Sequence, residues 1–199
     1  GFQDLRDRRG GLTPMRTRSQ RAANTTKLEE KMSIFIRSLE PGDAALLWEF
    51  TYLAVHVPPG EPPYPHDILD IPAIRQYAEA WGREVDLGVV ACEGERVVGA
   101  AWTRLLGGEP KGFGYVDEET PELAMSVVRE YRGQGIGTGL LARVLADAAE
   151  RFPGVSLSVD DDNPAKRLYL RAGFTPVGLV GKSVTMVKRF GNTGKSPVK

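Results

Sequence analysis

The sequence predicts an α/β protein, a mixed sheet of six to seven strands flanked by about four helices. Two observations point there. Short runs with period-two alternation are interleaved with segments of 3.6-residue period, in the order β-α-α-β-β-β-α-β-α-β. The chain has 199 residues, 41% hydrophobic and 26% charged, which suits one full-sized core but not two.

Each element has its own signal. Ile34 to Leu39 reads as the first strand, ended by the Pro41-Gly42 turn. Asp43 is placed to cap a helix whose apolar positions, Leu46, Leu47, Phe50 and Leu53, recur at helical spacing. Six prolines between 58 and 72 make VPPGEPPYPHDILDIP a stiff, shaped loop, which either borders a binding site or covers a core edge. IPAIRQYAEAWG predicts a second helix, with Pro72 in its first turn and Gly82 past its end. DLGVVACEG and RVVGAAWTRLL are strands joined by a hairpin at Glu93-Gly94-Glu95. ELAMSVV, 122–128, is a further strand. GIGTGLLARVLADAAERF is a helix with one apolar face made by Ile136, Leu140, Leu141, Val144, Leu145 and Ala148. VSLSVD alternates strictly and predicts a strand. NPAKRLYLRAGF is a short helix with Asn163 as cap, Pro164 at its first position and Gly173 as stop. A short strand is expected after Phe174, and SVTMVKRF closes the sheet.

The bulk numbers exclude several functions. Lys plus Arg and Asp plus Glu are both 26, so no net field steers the chain to nucleic acid or membrane, and neither is expected as a partner. Cys92 is the single cysteine, and His56 and His66 are the two histidines. No disulfide and no metal are therefore expected. No apolar run reaches the roughly 18 residues that would span a bilayer, and a cytoplasmic protein is the expectation. Residues 1–31 carry eight Lys/Arg together with Asp4, Asp7, Glu29 and Glu30. The acids and the missing apolar stretch argue against a targeting peptide. A disordered extension is expected there, with a basic arm for nucleic acid or a partner as the alternative. The domain is expected over 33–190, with a flexible tail at 191–199. Gly194-Lys195-Ser196 copies the end of a P-loop, but Arg189 stands where its first glycine is needed.

REYRGQGIGTGLL, 129–141, places Gly133, Gly135, Gly137 and Gly139 at alternate positions between a strand and a helix. That is the geometry of an anion site. Free N–H groups of a first helical turn point outward, the helix dipole adds positive charge, and glycine lets the backbone approach phosphate oxygens. A dinucleotide fingerprint fails from Gly133, which leads to Thr138, and from Gly135, which leads to Leu140. From Gly137 it reaches Ala142, but that register starts inside the helix rather than at the turn. A P-loop lysine is missing as well.

What fits is Arg132-Gly133-Gln134-Gly135-Ile136-Gly137, which resembles the pyrophosphate motif of the GNAT superfamily of acetyl-CoA-dependent N-acyltransferases. Downstream, Asn163, Ala165, Leu168, Tyr169, Gly173 and Phe174 match that family's second signature. The resemblance covers roughly Ser33 to Phe190. It implies the GNAT acyl-CoA N-acyltransferase fold, with two splayed central parallel strands, here 122–128 and 155–159.

The resemblance also implies roles. Backbone groups near Val127 and Val128 bond the pantetheine, and one of those N–H groups polarises the thioester carbonyl. The loop residues Arg132, Gly133, Gln134, Gly135, Ile136 and Gly137, with the Thr138 hydroxyl, hold the pyrophosphate of acetyl-CoA, the cosubstrate. Tyr169 is the candidate acid for the leaving thiolate, with a packed aromatic four residues after Ala165 as the alternative, and Asn163 bonds the pantetheine, caps its helix, or does both. An alkyl amine has a pKa near 10, so a base must take its proton. Glu122 is the candidate, with a solvated strand-start acid as the alternative. Asp117, Glu118, Glu119, Asp160, Asp161 and Asp162 form an acidic rim suited to a cationic amine, or only a solvated face. The acceptor pocket is implied at Trp48, Phe50, Tyr52, His56, Tyr64, His66 and the segment 105–121. The implied reaction transfers acetyl to a primary amine of a small molecule, by direct attack through a tetrahedral intermediate. The alternatives are a protein N-terminal or lysine acetyltransferase and a non-catalytic CoA-binding module. Many relatives are dimers, so a homodimer is an expectation.

Overall fold

The computed structural model describes residues 33–191. The basic segment 1–31 and Gly194-Lys195-Ser196 lie outside the described residues. Seven strands form one sheet: β1 (Ile34–Ser38), β2 (Leu87–Glu93), β3 (Arg96–Arg104), β4 (Glu122–Val127), β5 (Gly154–Asp160), β6 (Thr175–Val180) and β7 (Ser183–Arg189), in the order β1-β2-β3-β4-β5-β7-β6. The helices are α1 (Leu46–Ala54), α2 (Pro72–Arg75), α3 (Ile136–Ala149) and α4 (Ala165–Arg171). The architecture is the mixed sheet with four helices that the sequence predicts.

Every neighbouring pair is antiparallel except β4 with β5. β3 and β4 stay in register from Gly99↔Val127 to Arg104↔Glu122, and β5 and β7 from Gly154↔Arg189 to Asp160↔Ser183. Between β4 and β5 the register holds only Glu122↔Ser156, closed by Ser156 N–H donating to the Pro121 carbonyl at 3.0 Å. Beyond that junction the two strands part, and the central parallel strands are splayed as expected.

Alternation divides the core. Leu123, Met125 and Val127 of β4 face the cluster built on Ile136, Leu140, Leu141 and Val144 of α3 and on Tyr169 and Phe174. Ala124 and Val128 face the other cluster, with Leu47 and Phe50 of α1, Tyr77 and Trp102. Glu122 and Ser126 share the face of Ala124 by the same period of two.

Two local expectations differ from the structure. Asp43 does not cap α1. It closes a short 3-10 turn at Pro41–Asp43, accepting from Glu40 N–H at 2.9 Å and pairing with Arg37. An ion pair from the adjacent strand takes the carboxylate that a helix N-terminus would otherwise use. The second helix also stops at Arg75 rather than Trp81. Side chains of β3 take the carbonyls that another helical turn would need. Arg104 donates to the Gln76 and Glu79 carbonyls, both at 2.6 Å, and Trp102 Nε1 donates to the Tyr77 carbonyl at 2.9 Å. Ala80 adopts φ +50°, so the chain there turns instead of coiling. Asp86, whose side chain is fully buried, binds Arg83 and Arg104 and locks this turn onto β3.

Candidate functional site

The glycine loop sits where β4 leaves the sheet. Gly133 and Gly135 have φ of +75° and +83°, a conformation that a side chain would strain, and space around both is open. The first intrahelical bond of α3 is Gly139 N–H to the Gly135 carbonyl at 3.1 Å. The N–H groups from Gly133 to Thr138 therefore have no backbone acceptor among the described residues. They form a row of donors at the positive end of a 14-residue helix, and Thr138 is exposed beside them. Arg132 precedes the row and Gln134 lies within it, and both side chains donate to backbone: Arg132 Nε to the Val127 carbonyl at 2.8 Å, and Gln134 Nε2 to the Glu130 carbonyl at 3.0 Å. Ile136 is buried in the α3 core and holds the loop down.

β4 brings backbone groups to the opening. Val128 N–H donates to the Val98 carbonyl at 2.9 Å and is committed to β3. Alternation then aims the N–H groups of Val127 and Met125 toward β5, where no ladder continues. Among the described residues Val127 thus offers an N–H without a partner and Val128 does not, and Met125 lines the same opening although no sequence signal singles it out. Knowing β3 as the partner strand would have found it.

Glu122 and Tyr169 lie on opposite faces of the sheet, Glu122 toward Tyr77 and Tyr169 in the α3 cluster. Tyr169 is 8% exposed, and its ring meets Phe174 edge-on at 5.8 Å. Burial pushes its hydroxyl up to about 12, so it holds its proton at neutral pH. Glu122 is 4% exposed, and burial raises its carboxyl to about 7, while hydrogen bonds from Tyr77 and Gly114 pull the other way. Gly114 N–H donates to Oε1 at 2.7 Å. Asn163 Oδ1 accepts from Ala165 N–H at 2.9 Å, the capping geometry at the start of α4.

The wall on the α1 side is fixed. The Tyr52 hydroxyl donates to the Tyr64 carbonyl at 2.7 Å, and its ring stacks on His66 at 4.0 Å, which pins the proline-rich segment to α1. Phe50 is core, and Trp48 packs beside it under the Arg75 guanidinium. His56 Nε2 lies 3.1 Å from Asp162 Oδ1, tying the end of α1 to the end of β5. The acidic rim is largely paired: Asp160 with Ser183 and Lys182, Asp161 with Lys166, Asp117 with Arg189, and Glu118 with Tyr115. His56, Asp160 and Asp162 gather ligand-type atoms within 4.8 Å, but Lys182 Nζ stands 3.2 Å from Asp160 Oδ2 and its charge opposes a bound cation. No helix among the described residues is long and apolar enough to cross a membrane.

An extended ligand with a phosphate end fits this arrangement: unpaired strand edges for its arm, a donor-lined helix start for its charge. The chain belongs to the acetyltransferase (GNAT) family, whose model matches residues 48–174. No curated protein sequence matches it significantly. Among solved structures it is similar to yncA from Salmonella typhimurium with its cofactor acetyl-CoA, at 20% identity and TM-score 0.57, covering 81% of this chain and 96% of that one. It is similar to the ribosomal-protein-S18-alanine N-acetyltransferase from Escherichia coli at 17% identity, TM-score 0.55, 82% and 99% coverage. It also matches mutant forms of the spermidine/spermine N-acetyltransferase SpeG from Vibrio cholerae at 18%, TM-score 0.51, 79% and 95%.

Proposed function

We propose that the protein transfers the acetyl group of acetyl-CoA to a primary amine of a small molecule. The observation that carries the reading is the pairing of an open β4–β5 edge with six consecutive N–H groups at the start of α3 that have no backbone acceptor among the described residues. Acetyl-CoA supplies an activated thioester, whose carbonyl the amine attacks directly. Gly133 to Thr138 would hold the pyrophosphate, with Arg132 at their edge. The Met125 and Val127 backbone would bond the pantetheine from β4 and Asn163 from the start of α4. The Val127 N–H would point at the developing oxyanion. Glu122 takes the amine proton, and a carboxyl near 7 is matched to that task at neutral pH. Tyr169, protonated and on the other face, gives a proton to the departing sulfur. A small acceptor is supported by the proline-rich wall, which Tyr52 pins to α1.

The test is to count free thiol when the protein is incubated with acetyl-CoA and, separately, spermidine, a peptide beginning with alanine, and a peptide with an internal lysine. Spermidine should release thiol fastest, and Tyr169→Phe should lower kcat by roughly a hundredfold or more. Faster release with either peptide would make it a protein acetyltransferase. Stabilisation by CoA with no release would make it a binding module.

A further inference from the structure

Tyr77 belongs to no motif, yet it is 7% exposed and its hydroxyl donates to Glu122 Oε1 while accepting from Phe113 N–H at 3.0 Å. Gly114 N–H donates to the same carboxylate oxygen. Both donors converge on Oε1. Oε2 is buried with no hydrogen-bond partner among the described residues. Gly112 lies directly against it, and a Cβ at that position would overlap Oε2. A carboxylate with one oxygen held by two donors keeps its more basic lone pair on the other.

We propose that Tyr77 is a positioning residue that, with the Gly114 amide, clamps Glu122 Oε1 and so fixes the orientation of the carboxylate that takes the amine proton. The proposal rests on the reading of Glu122 as the base. The attacking nitrogen forms its bond to the acetyl carbon and gives its proton to the Glu122 carboxylate. The carbon–sulfur bond breaks as sulfur takes the proton of Tyr169, and solvent then resets both groups. The surroundings leave the clamp to Tyr77. Across β3, Arg104 is in register with Glu122, but its guanidinium is turned to Asp86 and to the Gln76, Glu79 and Ala80 carbonyls. From β5 the registered neighbour is Ser156, which is uncharged. The loop before β4 contributes the Phe113 and Gly114 amides, and α1 meets this face through the Phe50 carbonyl, which accepts from Ser126 Oγ at 2.7 Å.

The experiment uses the full chain with 13C-labelled glutamate carboxyls, the Glu122 signal being assigned by its loss in Glu122→Gln. Tyr77→Phe keeps the ring and removes the donor that favours the charged form. The Glu122 midpoint should rise by about one pH unit. The acid limb of thiol release, read with whichever of the three amines turns over fastest, should move by the same amount. kcat should fall roughly fivefold at pH 7, as the ionised fraction of Glu122 drops, with KM for acetyl-CoA unchanged. In a Glu122→Gln background, adding Tyr77→Phe should cost no further activity, whereas a merely structural role would add its own loss. An unmoved midpoint and acid limb in Tyr77→Phe overturn the positioning role while leaving the base reading intact. A Glu122→Gln protein that keeps the wild-type acid limb overturns the base reading and the role of Tyr77 with it. Absence of release with all three amines does the same.

Discussion

Glu122 holds its proton up to about pH 7 in the folded protein because burial disfavours its charge. In the unfolded chain it ionises near its ordinary 4.5. Between those values the folded state binds more protons, so stability falls as pH rises through that window and is flat above it. Denaturant unfolding at pH 5 and pH 8 should show a loss for the wild type that Glu122→Gln lacks, differing by up to about 3 kcal/mol. An equal loss in both proteins would mean that another group titrates. Tyr169 differs in kind. Burial alone raises it, no charged partner stands by, and it remains a proton donor throughout the neutral range.

At the scale of elements, the start of α3 and the turn after α2 contrast in how far they could be read. The α3 face, Ile136 to Ala148, and its glycine loop were legible because both are local patterns, a 3.6-residue period and a strand–turn–helix spacing. Gly135 at φ +83° is a local requirement as well. Gly135→Ala should cost about 1 kcal/mol in stability and weaken CoA binding by calorimetry, through strain in the donor row. The end of the second helix was not legible. It is set by Arg104 and Trp102, more than 20 residues away, through bonds to carbonyls that no sequence pattern marks. Tyr77 escaped notice for the same reason, since its role depends on Glu122 across the core. The division of labour between Val127 and Val128 needed the β3 register. Breaking the buried Asp86 cluster with Asp86→Ala should destabilise by about 3–5 kcal/mol, since Arg104 would be left as an unpaired buried charge. Thermal unfolding measures it.

At the scale of the molecule, the sheet is two antiparallel blocks, β1–β4 and β5–β7, meeting at one registered pair. α3 and its apolar face supply most of what else joins them. On the proposed function, CoA at a hundred times its Kd should raise stability by about 2.7 kcal/mol. Hydrogen exchange at the Met125 and Val127 amides should be fast in the free protein and slowed by CoA, whereas the β2–β3 hairpin should be slow in both. The splayed pair also bears on how unfolding is shared. With so thin a seam, heat or denaturant can detach one block before the other, broadening the transition and lowering its apparent denaturant dependence. A ligand arm lying along both strand edges would act as an eighth strand supplied from solution. It would make the two blocks melt together, so that the cofactor sets the cooperativity of the fold as well as its chemistry.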